Sequence, residues 1–272
     1  MDIATPLGFV IGLGALLLAF LLEGGTPAML FNVPAILVVF GGTLGIACVS
    51  FPMGTIVRLP KAILKALLPS RVDPFRTRET LVALARKARQ AGALALESDA
   101  EAIGDPFLKQ GVRLVVDGKD AETVRDMLEL THAQIEQRHE GLYRALEAMG
   151  GYAPTLGIIG AVLGLINALS HLSDPSELGH AIAVAFVATL YGVSSANLVW
   201  LPLATKLQLR SEEELLVRRM TIEGVLAIQA GNSARTVEEK LRGFLVRSLR
   251  ELDAEPPEGE PVSVAGGRRD AV

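Results

Sequence analysis

The sequence is short of the residues from which reactive sites are usually built. It has one cysteine, Cys48, in 272 residues, so no intrachain disulfide can form. With no second Cys or His cluster beside it, Cys48 reads as a small buried hydrophobe. Aromatic residues make up 5% of the chain, too few for a base-stacking platform. A net charge of -4 gives no electrostatic reason to expect nucleic acid as a partner. The histidines, His132, His139, His171 and His180, show no metal-ligand spacing with Cys or carboxylates. The Gly157 to Gly160 run lacks the strand–helix context and the Lys of a phosphate loop. No metal, no cofactor and no enzyme activity are expected.

A second absence is local. Half of the residues are hydrophobic and 21% are charged, yet 5–22, 33–51, 152–172 and 181–203 contain no Asp, Glu, Lys or Arg. Mean hydropathy is +0.39, a combination rare in a soluble domain. At ~1.5 Å per residue each run can cross most or all of a hydrocarbon core roughly 30 Å thick. The first run lacks a basic n-region and a second follows at once, so it reads as a span and not a signal peptide. The expected fold is an all-α membrane protein with four transmembrane helices, whose long amphipathic helices extend into a helical cytoplasmic domain.

Charge sorts the connecting segments. The 23–32 loop carries Glu23, the 173–180 loop carries Asp174 and Glu177, and neither has Lys or Arg. Arg58, Lys61, Lys65, Arg71, Arg76 and Arg78 follow the second span, and Lys206, Arg210, Arg218 and Arg219 follow the fourth. Positive charge is retained on the cytoplasmic side, so both termini and the middle region are expected there. Trp200 fits an interfacial anchor. The domain reading is 1–51 for spans one and two, 52–151 for a cytoplasmic helical domain and 152–203 for spans three and four. Cytoplasmic helices then occupy 204–253, and 254–272, rich in Pro, Gly and Glu, is expected to be disordered.

Within the cytoplasmic parts, 74–90 reads as a helix with Leu81, Leu84, Ala85 and Ala88 on one face and Arg78, Arg86 and Arg89 elsewhere, broken by Gly92. Asp117-Gly118 is a turn signal and Asp120 an N-cap. From there Val124, Leu128, Ile135, Leu142, Leu146 and Met149 recur at helical spacing, defining a long amphipathic helix that runs toward span three. A second leaves span four through Leu207, Leu215, Val217, Ile222, Val225 and Ile228 and stops at Gly231-Asn232. Thr236 and Glu239 form a capping box for a last helix with Leu241, Leu245 and Leu249.

Spans three and four carry small-residue stripes: Gly157, Gly160 and Gly164 on one, Ala181, Ala185, Thr189, Gly192 and Ala196 on the other. Such stripes let helices approach closely in lipid. They serve plain helix packing or a shared wall facing another helix. The polar groups there are Thr155, Asn167, Thr189, Ser194, Ser195 and Asn197, with no carboxylate. An intramembrane Asp or Glu is the usual mark of a cation relay. Either the chain conducts nothing, or a partner supplies the acid. Pro154 and Pro202 mark the inner ends of their spans, as helix boundaries or as hinges.

The runs PTLGIIGAVLGL (154–165), Asp174-Pro175, ATLYG (188–192) and NLVWLP (197–202) resemble the MotA/PomA flagellar stator subunits. So do RQAGALALE (89–97) and EQRH (136–139), and the resemblance extends over about residues 7–249. It implies a pentameric ring of such chains around two copies of a MotB/PomB-type B subunit, whose single membrane helix carries the ion-accepting Asp. It also implies that spans three and four line the path, with spans one and two toward lipid. Ion flow would rotate the ring and push on the rotor protein FliG. By position, Arg89 and Glu97 match the family's rotor-contact residues, Pro154 and Pro202 its inner-end prolines, and Thr189 its ion-path threonine. Sodium-driven relatives carry threonines where this chain has Ala161 and Ala188. Removing two hydroxyls from a dehydrated sodium site removes ligands, so proton coupling is expected. The rivals are a sodium-driven stator subunit, an ExbB/TolQ-like energising subunit, a secondary transporter and a structural anchor.

Overall fold

The computed structural model describes residues 4–68, 73–170 and 175–244. Arg71, His171, Asp174, Leu245, Leu249 and the 254–272 tail lie outside them. The described residues are helical apart from turns, and they divide into two compact units, Met1–Val72 with Leu130–Leu215 and Asp73–Glu129 with Leu216–Val272.

The first unit holds four helices long and apolar enough to cross a membrane. Thr5–Leu22 has no buried residue in this chain, and Val10 and Leu22 are 70% and 79% exposed. So much continuous apolar surface is stable only in a solvent that does not need to hydrogen-bond to it. The second span starts at an Asn32 cap, whose Oδ1 accepts from Ala35 N at 2.9 Å. It widens into a π turn at Leu37–Gly41. That turn carries Phe40, whose ring centroid lies 6.1 Å from that of Tyr191. Cys48 is half-buried and not fully enclosed as expected.

After the second span, Met53–Leu67 buries Leu59 and Ala66. Leu59 belongs to a cluster with Ala145, Leu146 and Met149 of one long helix and Leu203 and Ala204 of another. Arg210 closes the end of Met53–Leu67 by donating to the carbonyls of Lys65, at 2.9 Å, and Leu68, which no backbone donor of the helix could reach. His139 Nδ1 and Ser211 Oγ share a hydrogen bond of 3.0 Å between the two long helices. The anticipated continuity into span three holds, since Ala121–Ser170 is one helix.

The second unit packs short helices around Leu81, Leu96, Val112, Val124, Leu128, Val225 and Leu241, all at most 1% exposed. Asp73 caps Pro74–Ala91 through Phe75 N and Arg76 N, and Asp105 caps Pro106–Val116 through Phe107 N and Leu108 N. Asp120 caps Ala121–Ser170 as expected, accepting from Thr123 N at 2.9 Å and Thr123 Oγ1 at 2.7 Å. Those bonds hold its carboxyl below the usual carboxylate range. Leu201–Gln229 ends where Asn232 N reaches back to Ala227 O and Gly231 N to Ile228 O. The closure places Gly231 at φ 69°, a conformation that glycine adopts without a Cβ penalty.

Two sequence expectations need correction here. Arg78 is not on the solvated face: it is 8% exposed, with its guanidinium 6.0 Å from the Phe75 ring centre, because the aliphatic stem can lie in a core while the head finds partners. The last helix, Ala234–Arg242, is capped by Ser233 accepting from Thr236 N at 3.1 Å. Thr236 is therefore inside the helix, and Glu239 is held by Arg235 at 3.2 Å and not by a capping box.

Candidate functional site

Spans three and four meet along their small-residue stripes. A Cβ placed on Gly157 would lie 2.9 Å from Ala188 O and 3.3 Å from Thr189 Cα. On Gly164 it would meet Ala185 Cβ at 3.0 Å, and on Gly192 it would meet Ala153 O at 2.6 Å. Backbone contacts this short leave no room for a side chain, so the stripes are used up in pairing the two spans of one chain. The other faces of the pair remain exposed and apolar: Ile158, Val162, Ile166 and Leu169 on span three, Phe186 and Val193 on span four. The chain thus presents an uncharged two-helix wall.

The proposed ion-path residues occupy different places on it. Thr189 is half-buried and donates its hydroxyl to Ala185 O at 3.3 Å, which leaves the oxygen lone pairs available as acceptors. Ala161 is half-buried. Ala188 is 1% exposed, clustered with Ala35 and Val187, and its Cβ is 2.8 Å from where a Cβ of Gly160 would stand. The Gly160–Ala188 pair is complementary in size, and a side chain added at Gly160 would press on Ala188.

Pro154 is half-buried inside the continuous helix Ala121–Ser170. Pro202 is exposed and follows a π turn at Ala196–Trp200, where Leu201 N donates five residues back to Ala196 O. A proline cannot donate the next helical bond, and a widened turn is a common way for a helix to absorb that loss. Trp200, expected at the interface, is half-buried. It packs against the cluster of Ala145, Leu146 and Met149, and its indole N–H is buried with no hydrogen-bond partner among the described residues. The residues around it are apolar, and sequence position alone could not show which way the ring turns at a π turn.

Arg89 and Glu97 lie in the second unit, both exposed. Arg89 stands in the last turn of Pro74–Ala91 and Glu97 begins Glu97–Ala102. Between them come Gly92, at φ 85°, and the 3-10 turn Ala93–Leu96, anchored by fully buried Leu96. Sequence reading missed the clamp beside them. Lys87 Nζ lies 2.5 Å from Asp99 Oδ2 and ties the two helices on either side of that turn. A second clasp joins Glu101 to Lys109, at 3.0 Å, and to Arg113. Arg113 first and Lys109 second hold the Glu101 carboxyl below the usual carboxylate range. Opposite charges separated by about ten residues were visible in the sequence, but their pairing depends on a turn geometry that was not.

Four lipid-length apolar helices and a paired, uncharged wall define a multi-span membrane protein of channel-subunit type. Residues 99–220 match the MotA/TolQ/ExbB proton channel family, and residues 6–93 match the motility protein A N-terminal family. Motility protein A of Bacillus subtilis is 37% identical over 264 residues, 96% of this chain and 97% of that protein. The chemotaxis protein PomA of Vibrio alginolyticus is 38% identical over 253 residues, 93% of this chain and 99% of that protein. A chain of the flagellar MotAB stator complex from Bacillus subtilis superposes with a TM-score of 0.85 at 36% identity, covering 93% of this chain and all of that one. The chain belongs to the MotA/TolQ/ExbB proton channel family, in its motility protein A branch. The match of residues 6–93 to a motility-specific family sets it apart from the ExbB/TolQ-like rival, and its relatives are stator channel subunits.

Proposed function

We propose that this chain is the A subunit of a flagellar motor stator, a wall that surrounds a carboxylate supplied by a B subunit. The observation that carries the reading is the pairing of spans three and four through Gly157, Gly164 and Gly192, with Thr189 at the seam and no acid in either span. A channel of this kind needs a partner's Asp, and a similar chain of known structure comes from a two-component complex by name, the flagellar MotAB stator of Bacillus subtilis. The proposed assembly is a ring of five chains around two B subunits in the bacterial inner membrane. Both termini and the helical unit lie on the cytoplasmic side, as the Lys and Arg distribution favours. Residues 1–51 and 152–203 occupy the membrane, and 52–151 with 204–253 the cytoplasm. Arg89 and Glu97 contact the rotor protein FliG. Pro154 and Pro202 act as hinges, and Thr189, Ala161, Ala188 and Pro154 border the ion path.

The coupling ion is the proton. Ala161 and Ala188 offer no oxygen to a dehydrated sodium ion, whereas a proton needs only the partner's carboxylate and a water chain. Ala188 is also 1% exposed within the chain. Rotation speed in sodium-free medium tests this: speed is expected to be unchanged, and to collapse on adding a protonophore. Loss of rotation without sodium, with resistance to the protonophore, would overturn the assignment.

A further inference from the structure

A cavity of about 360 Å³ opens between the start of the first span and the end of the fourth, within the membrane unit. Phe9, Leu198 and Leu203 line it with apolar surface, and Thr5, Asn197 and Lys206 are its polar lining residues. Asn197 and Lys206 are nine residues apart, ~13 Å along a helix. That is close to the hydrocarbon depth of a single leaflet, half of roughly 30 Å. The groove therefore starts at the water boundary with a cation and runs one leaflet deep as hydrocarbon.

We propose that this groove holds an anionic phospholipid, with an acyl chain along Phe9, Leu198 and Leu203 and the phosphate at the Lys206 ammonium. A neutral lipid would bring no net negative charge to the Lys206 end, and a free phosphate would leave the apolar walls wet. Lys206 has three donors on a flexible stem, so it can bind a phosphate oxygen while keeping a protein contact. The inference depends on the chain lying in a bilayer, and on neither the proposed ion nor the proposed rotor contact.

Two substitutions separate the halves of the site. Gly8 lines the groove, and a Cβ there would meet nothing within 4 Å, so Gly8→Leu fills the groove without disturbing packing inside the chain. Gly14 is equally open but does not line it, so Gly14→Leu is the control. The full chain, purified in its native assembly, is exposed to an equimolar mixture of phosphatidylglycerol and phosphatidylcholine, and retained lipid is counted by native mass spectrometry. The wild type and Gly14→Leu should retain phosphatidylglycerol about fivefold over phosphatidylcholine. Lys206→Gln should keep lipid but lose the preference, and Gly8→Leu should lose both lipids while keeping its oligomeric mass. Equal retention of the two lipids by the wild type, or an unchanged preference in Lys206→Gln, would overturn the proposal. So would an unchanged lipid count in Gly8→Leu, and a smaller assembly with that count unchanged would identify a neighbouring copy as the occupant.

Discussion

Single residues decide whether spans three and four can pair. Gly192 is the tightest contact of the stripe, since its added Cβ would meet a carbonyl oxygen, which cannot rotate away, at 2.6 Å from Ala153. Gly192→Val should cost about 1–3 kcal/mol by overpacking and abolish rotation, with the loss visible as a lower midpoint of thermal unfolding in detergent. Thr189→Ala removes the seam's hydroxyl while sparing the packing, so it should lower rotation speed with the unfolding midpoint unchanged, and Thr189→Ser should recover most of the speed. Glu101 makes a pH prediction. Its folded carboxyl titrates below the unfolded one, so its contribution is present above the unfolded value and lost as pH falls through the folded one. Thermal stability should therefore decline below about pH 5, and Glu101→Gln should flatten that decline. The small residues of the stripes were legible in the sequence, but not the surface they face. Both packing and channel walls need small side chains, and only the distances assign Gly157, Gly164 and Gly192 to packing. Arg78 was misread because charge predicts exposure only for the head group, not for the stem.

Elements were legible wherever a local rule fixes them. The spans followed from uncharged runs, Asp120 was recognisable as a cap, and Gly92 and Gly231 marked real helix ends, since each takes a positive φ. The π turns at Leu37–Gly41 and Ala196–Trp200 were not, because one extra residue in a helical turn leaves an apolar sequence pattern nearly unchanged. The Ser233 cap was also misplaced: Ser233 and Thr236 both suit the position, and their hydroxyls lie 2.8 Å apart. Ser233→Ala should destabilise the last helix by about 1 kcal/mol, and Thr236→Ala by less, as read by hydrogen exchange of residues 234–242. At the proposed rotor surface, the Lys87–Asp99 clamp orients the two helices that carry Arg89 and Glu97. Lys87→Glu should reduce swimming with membrane levels unchanged, and adding Asp99→Lys should restore much of it, measured as swarm diameter. The pair is about 40% exposed, so its loss should act through orientation more than through folding.

For the whole molecule, all four apolar runs fall in one unit, together with charged helical stretches such as 130–151 and 204–215. Two of the three unit boundaries fall inside the two long helices, at Glu129 and Leu215, where the sequence reading kept an unbroken amphipathic pattern in each. The central claim is that the chain forms an acid-free wall and conducts only around a partner's carboxylate. The most direct test is rotation of tethered cells that lack their own stators and express this chain with its single-span, Asp-bearing partner. The account predicts rotation with the intact pair and none when the partner's membrane Asp is changed to Asn, at equal membrane levels of both proteins. Continued rotation with the Asn partner, or with this chain alone, would contradict it.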